Sequence, residues 1–125
     1  MLTRKGIVTM NKYRAKRTFS ALCDRYFASR AEAQRGEELH LLEMAGEISE
    51  LEYQPNFILQ EGFMDNNGRH IRAIAYLGDF SYNIGDDHYV EDTKGFSTQV
   101  FKLKAKLFKY KYPNFKLVVG NEKMP

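Results

Sequence analysis

Asp92-Thr93-Lys94 places an acid two residues before a lysine, within a segment from Tyr89 to Gly95 of strand character. Side chains alternate along a strand, so this spacing sets both groups on one face of a sheet. A second acid, Asp79, stands on the apolar run Tyr76-Leu77-Gly78-Asp79-Phe80. Two carboxylates able to hold a divalent cation, with a lysine beside them, are the minimum equipment for metal-assisted phosphodiester cleavage. Mg²⁺ (or Mn²⁺) suits this set, because Mg²⁺ prefers oxygen ligands, keeps several waters, and needs few carboxylates beside a phosphate. The backbone carbonyl of Thr93 offers a further oxygen. Lys94 would orient the attacking water or offset charge developing on the phosphate oxygens. Glu91 is adjacent, but alternation turns it to the opposite face, which favours Asp92 as the ligand. Each residue also has an ordinary reading: Asp92 as a solvent-facing strand acid, Lys94 as a lysine whose stem covers apolar surface at a strand end.

The elements that must position these groups follow from the chain in order. Residues 1–17 are polar and basic and read as a flexible arm, leaving 18–125 as one domain. Thr18 to Phe27 mixes aromatic and β-branched residues around Cys23-Asp24 and fits a short hairpin. Ser29, with Glu32 three residues on, matches a capping box and opens a helix that runs to about Ala45, where Gly46 supplies a left-handed cap. Leu39 and Leu42 mark its buried stripe, and Glu32, seven residues before Leu39, falls on that same face. Glu32 therefore either caps the helix or reaches toward the metal as a third acid. Gly36 costs this helix about 1 kcal/mol relative to alanine, a cost that close packing would explain.

A first main strand is expected over Tyr53 to Gln60, with Pro55 marking an edge or bulge because it cannot donate to a ladder. Asp65-Asn66-Asn67-Gly68 is a turn. Arg69 to Tyr82 reads as one long strand, with Gly78 bending it just before Asp79 to re-aim the acid. Gly85 to His88 closes a hairpin into a third strand, His88 to Lys94. A second helix starts at Ser97 or Thr98 and ends at Tyr112 before Pro113. Val100, Leu103 and Leu107 are read as its core stripe, widened by Phe101 and Phe108, with Lys102, Lys106 and Lys109 on another face. Phe115 to Val119 makes a last strand. The expected order is α-β-β-β-α-β, a central mixed sheet flanked by helices.

The 125 residues are 43% hydrophobic, enough for one core. They include no apolar run of membrane-spanning length and no signal-peptide core, so the chain reads as cytoplasmic, with no membrane partner. Cys23 alone excludes an internal disulfide and a cysteine-rich zinc site. His40, His70 and His88 share no zinc-site spacing. A net charge of +3 implies little by itself. Its distribution says more: Arg4, Lys5, Lys12, Arg14, Lys16 and Arg17 precede the first acid, Asp24, and only bases appear from Lys102 to Lys116. Two basic ends around an acidic middle suit a phosphate-binding rim about a metal site, and equally a solvated helix and a disordered arm.

The joint order of an acid in the first helix, an acid late in the second strand and D-x-K in the third resembles the PD-(D/E)xK nuclease superfamily. From Tyr13 to Lys116 the chain is more closely similar to a group of short phage proteins of that superfamily. Lys12-Tyr13-Arg14-Ala15-Lys16, Ser29-x-x-Glu32-Ala33, Gln54-Pro55, Asp79-Phe80 and Glu91-Asp92-Thr93-Lys94-Gly95 carry that similarity. Relatives include Holliday-junction resolvases and transposon-end endonucleases. The resemblance implies a restriction-endonuclease-like α/β fold, with Glu32, Asp79 and Asp92 as acidic ligands and Lys94 as the catalytic lysine. Gln54 would help orient ligands or DNA. The implied partner is DNA, branched in the resolvase form, and the implied assembly a homodimer, with the outer face of the first helix or the hairpin around Cys23 as candidate dimer surfaces. Gly78 departs from the pattern, standing where the superfamily name has proline. A reading from a different class is a non-catalytic DNA-binding accessory protein that retains the fold; it needs only the basic faces, whereas a nuclease needs Asp79, Asp92 and Lys94 together.

Overall fold

Ser29 is extended (φ −152°) and its hydroxyl accepts from Glu32 N at 3.0 Å, so the first helix, α1 (Arg30–Met44), begins where the capping pattern places it. At the other end Gly46 takes φ +81° just past the Ala45 cap. This computed structural model describes residues 16–93 and 98–120. Of the basic arm only Lys16 and Arg17 fall within that range.

A short antiparallel hairpin, β1 (Thr18–Ser20) with β2 (Arg25–Phe27), precedes α1. The main sheet holds four strands: β3 (Ser49–Tyr53), β8 (Phe80–Ile84), β9 (Asp87–Asp92) and β10 (Phe115–Val119). Their order is β10-β9-β8-β3, with β10 parallel to β9 and the other pairs antiparallel, so the sheet is mixed as expected. The parallel pair needs a crossover, which α2 (Gln99–Lys111) supplies. Thr98 caps α2, its hydroxyl accepting from Phe101 N at 3.0 Å.

Two expected strands are broken where their sequence is least strand-like. The first ends at Tyr53 and resumes as β4 (Asn56–Gln60), because Gln54 takes φ +53° and Pro55 follows. The long strand from Arg69 to Tyr82 is three pieces: β6 (His70–Ile71), β7 (Ile74–Leu77) and β8. The two breaks face each other. Gln54 N donates to Asp79 O at 2.8 Å and Gly78 N to Pro55 O at 3.0 Å, holding the joint closed. Beyond it, β4 and β7 form a separate antiparallel ribbon, followed by a small pair of β5 (Phe63–Met64) with β6. Asp65 Oδ1 organises its turn by accepting from Asn67 N and Arg69 N, both at 2.9 Å.

Alternation along β9 divides the core in two. Tyr89 joins Phe80, Tyr82 and Val118 against Leu39 and Ala33 of α1, with Phe27 and Ile48. Val90 faces the other way, with Leu59, Tyr76 and Phe108 of α2. The helices therefore lie on opposite faces of the strands. Gly36 is explained by this packing: a Cβ there would stand 2.7 Å from Phe27 Cζ and 3.3 Å from Phe80 Cε1.

The buried stripe of α2 differs from the one expected. Phe108 is fully buried, and Phe101 and Tyr112 pack on the same cluster. Val100, Leu103 and Leu107 point to solvent instead. The helix carries two apolar stripes, and the aromatic one wins the core because Phe57, Tyr76 and Phe115 offer rings for Phe108 to meet. Among the described residues no helix is long and apolar enough to cross a membrane.

Candidate functional site

Gly78 ends the regular pairing of β7 one residue before Asp79, and that bend decides where the acid goes. Residues 76 and 79 are an odd number apart, so an unbroken strand would set them on opposite faces. In the fold Asp92 is bonded to the hydroxyl of Tyr76, and the charge of Asp79 also bears on that phenol. Tyr76 Oη donates to Asp92 Oδ2 at 2.9 Å. Burial first, then the charge of Asp92, its hydrogen bond, and the charge of Asp79 hold the phenol well above its ordinary pKa. Asp79 is tied to the turn after β9: Thr93 N and Thr93 Oγ1 both donate to Asp79 Oδ2 at 2.7 Å. Asp79 N also donates to Glu91 O at 2.9 Å. The two acids are thus gathered at the C-terminal end of β9, each with one oxygen oriented by a neutral donor.

On the other face of β9, Glu91 is taken up by a different network. Arg35 of α1 donates from Nε to Oε1 at 2.8 Å and from Nη2 to Oε2 at 2.6 Å. Tyr82 Oη donates to Oε2 at 2.5 Å, and Arg35 Nη1 reaches Glu38 Oε1 at 2.8 Å. The bond to Glu91 raises the Arg35 pKa, while burial, then the Glu91 bond, raise that of Tyr82. Glu91 is buried and committed to structure, as alternation predicts. Glu32 is 2% exposed on the sheet-facing side of α1. Its neighbours Ala31, Gln34 and Arg35 line a concavity of about 160 Å³ with Glu91, Thr93 and Gly120. The first turn of α1 therefore reaches the same end of the sheet as Asp79 and Asp92.

Among the described residues no three or more of His, Cys, Asp and Glu are placed together to hold a metal ion. Asp79 and Asp92 are the acids brought to the end of β9, Asp92 bonded to Tyr76 and Asp79 to Thr93. Lys94 and Arg14 lie outside the described residues. Lys16 and Arg17 are exposed beside β1, Arg17 lying 4.0 Å over the ring of Tyr26. Lys102, Lys106 and Lys109 are on α2, in the opposite layer. Gln54 is exposed, and its backbone is locked to that of Asp79 at the joint. Left-handed backbone at a non-glycine residue is uncommon and often marks a functional segment. His88 pairs with Asn83, Nδ1 to Oδ1 at 2.5 Å, and with no other histidine.

Sequence reasoning missed Tyr76 and Arg35. Tyr76 was hidden by the parity break at Gly78. The signal for Arg35 was its spacing four residues before Leu39, an arginine on an apolar face, which demands a buried anion such as Glu91.

The family model described as "Protein of unknown function (DUF1064)" matches residues 10–123, and the chain belongs to that family. Searches of curated proteins and of solved structures each returned no match.

Proposed function

We propose that this member of a family of unknown function is a metal-dependent DNA endonuclease with a PD-(D/E)xK-type fold and site. The observation that carries the reading is the convergence of Asp79 and Asp92 on the end of β9, where Asp92 accepts from Tyr76 and Asp79 from Thr93, the residue before Lys94 in the sequence. Hydrogen bonds from outside a ligand set commonly orient metal-binding carboxylates, and here Thr93 and Tyr76 supply them. The donor set fits Mg²⁺ or Mn²⁺: hard carboxylate oxygens, few in number, with room in the coordination shell for waters and a phosphate. Asp79 and Asp92 would hold the ion, with the Thr93 carbonyl as a further oxygen and Glu32 reaching in from α1. The ion would supply an activated water and charge stabilisation at phosphorus. Thr93 and Tyr76 keep the carboxylates aimed. Lys94 donates toward the phosphate oxygens as charge develops on them. Lys102, Lys106 and Lys109 bind backbone phosphates, with Arg14, Lys16, Arg17 and Gln54 making further DNA interactions. Preference for branched DNA would require a homodimer, because resolving a four-way junction takes two cuts at a fixed separation. Such an enzyme works in the cytoplasm of the host cell, in phage DNA metabolism.

The test is cleavage by the purified chain of linear, flapped and four-way DNA with Mg²⁺ or Mn²⁺. Asp92→Asn and Lys94→Ala should abolish cleavage while DNA binding persists. Changing Lys102, Lys106 and Lys109 to alanine should flatten the log–log salt dependence of duplex binding, by roughly 0.9 for each lysine–phosphate pair removed. Binding without cleavage by the parent chain under every condition would favour the accessory reading, and cleavage at the parent rate by Asp92→Asn would remove this site.

A further inference from the structure

The second apolar stripe of α2 has no partner within the described residues. Val100, Leu103, Leu107 and Tyr110 are 64%, 58%, 36% and 87% exposed. They recur in alternating steps of three and four residues, the a/d seam of a coiled coil. At about 100° per residue, the seam points roughly 140° away from Phe101, Phe108 and Tyr112. Isolated exposed leucines need no explanation, but four apolar residues in register over the length of a helix do.

The flanks of the seam specify what would cover it. Lys106 borders one side, Lys104 and Lys111 the other, and no acid occurs between Thr98 and Val119. Flanking charges set partner choice in helix pairs. A second copy fails on this count: a parallel pair sets Lys106 against Lys111, and an antiparallel pair sets each lysine against its own kind. Residues 1–15 of this chain fail likewise, since they contain Arg4, Lys5, Lys12 and Arg14 and no acid. Duplex DNA has the charge but no apolar counterpart for the leucines. A lipid surface calls for a broad apolar face, whereas this stripe has the narrower width of a helix-pairing seam.

We propose that the outer face of α2 docks an acidic amphipathic helix of another protein, with leucine or isoleucine along its seam and glutamate or aspartate on both flanks. Lys102 and Lys109 turn to a third side of α2 and stay outside this interface. The seam lies apart from the acids of the nuclease site, and Lys106 alone is common to this face and the proposed phosphate contacts.

The experiment is a fluorescence-anisotropy titration of the full chain against a labelled synthetic helix with leucine at a and d and glutamate at e and g. Two control peptides carry lysine at e and g, or serine at a and d. The glutamate peptide should bind and both controls should not. Leu103→Ser with Leu107→Ser should weaken binding at least about tenfold, as loss of central apolar anchors does, with an unchanged circular dichroism spectrum because both positions are exposed. Lys104→Glu, Lys106→Glu and Lys111→Glu together should transfer the preference to the lysine peptide. Equal binding of the glutamate and serine-seam peptides would overturn the proposal, as would no binding of the glutamate peptide. Seam-dependent self-association, or binding to phosphatidylserine vesicles in place of the peptide, would also overturn it.

Discussion

Arg35 on α1 grips Glu91 on β9 through two parallel hydrogen bonds, Nε to Oε1 at 2.8 Å and Nη2 to Oε2 at 2.6 Å. Both side chains are buried, so the pair joins the helix layer to the sheet without solvent between them. Removing one partner strands a charge. Glu91→Gln or Arg35→Met should each destabilise the fold by about 3–5 kcal/mol, whereas Arg35→Met with Glu91→Leu should recover much of the loss. Denaturant unfolding of the three variants checks this; single variants within about 1 kcal/mol of the parent would mean the pair behaves as a surface ion pair.

Gly78 should resist replacement. A Cβ there would stand 2.8 Å from Val90 Cγ1, and Val90 is fully buried and stiff at χ1. Gly78→Ala should therefore cost about 1–3 kcal/mol from overpacking. Gly78→Pro should cost more, since it also removes the N–H that donates to Pro55 O. Thermal unfolding would rank the two, and an alanine variant as stable as the parent would show that Val90 can give way.

Tyr76→Phe removes the donor to Asp92 Oδ2 and leaves the ring packing against Phe108. If the two acids hold a metal, the change should weaken Mn²⁺ affinity by about 10–100-fold with little effect on folding. Calorimetric titration of Mn²⁺ into the parent and the variant would measure it. Equal affinities would separate Tyr76 from the metal.

Alkaline pH should unfold the protein. Burial, ahead of other causes, raises the phenols of Tyr76 and Tyr82 above the ordinary 10.0 and that of Tyr53 to about 12. The native state thus holds protons that the unfolded chain releases. The stability this provides is complete below pH 10.0 and is lost as pH rises toward and beyond 12. Unfolding midpoints followed across that window should fall steadily, and Tyr82→Phe should flatten the decline. A flat profile for the parent would mean these phenols ionise in place.

The local grammar of this chain was readable. The caps at Ser29 and Thr98, the strand Phe115–Val119 and the hairpin before α1 all follow from residue type and short spacing. The opposed faces of Glu91 and Asp92 follow from strand parity, and the sheet-facing position of Glu32 from helix period. What resisted reading was every choice settled by tertiary packing. Periodicity reads Val100, Leu103 and Leu107 as the core stripe of α2, widened by Phe101 and Phe108, and cannot say which of these meets the sheet; rings supplied by β4, β7 and β10 decide it. Alternation treats 69–82 as one strand, yet the joint at Gly78 splits it, and with it the relation between Tyr76 and Asp79.

That joint has a mechanical meaning. The ribbon of β4 and β7 is attached to the main sheet at Gln54-Pro55 and Gly78-Asp79, and α2 packs on the ribbon through Tyr76 and Phe57. Asp79 sits at the root of the ribbon, and Tyr76 on the ribbon bonds Asp92 of β9. A load on α2 that tilts the ribbon would pull on Asp92 through Tyr76, while Asp79 is held to the end of β9 by Thr93 and Glu91. The distance between the two acids is the coordinate such a tilt would change first.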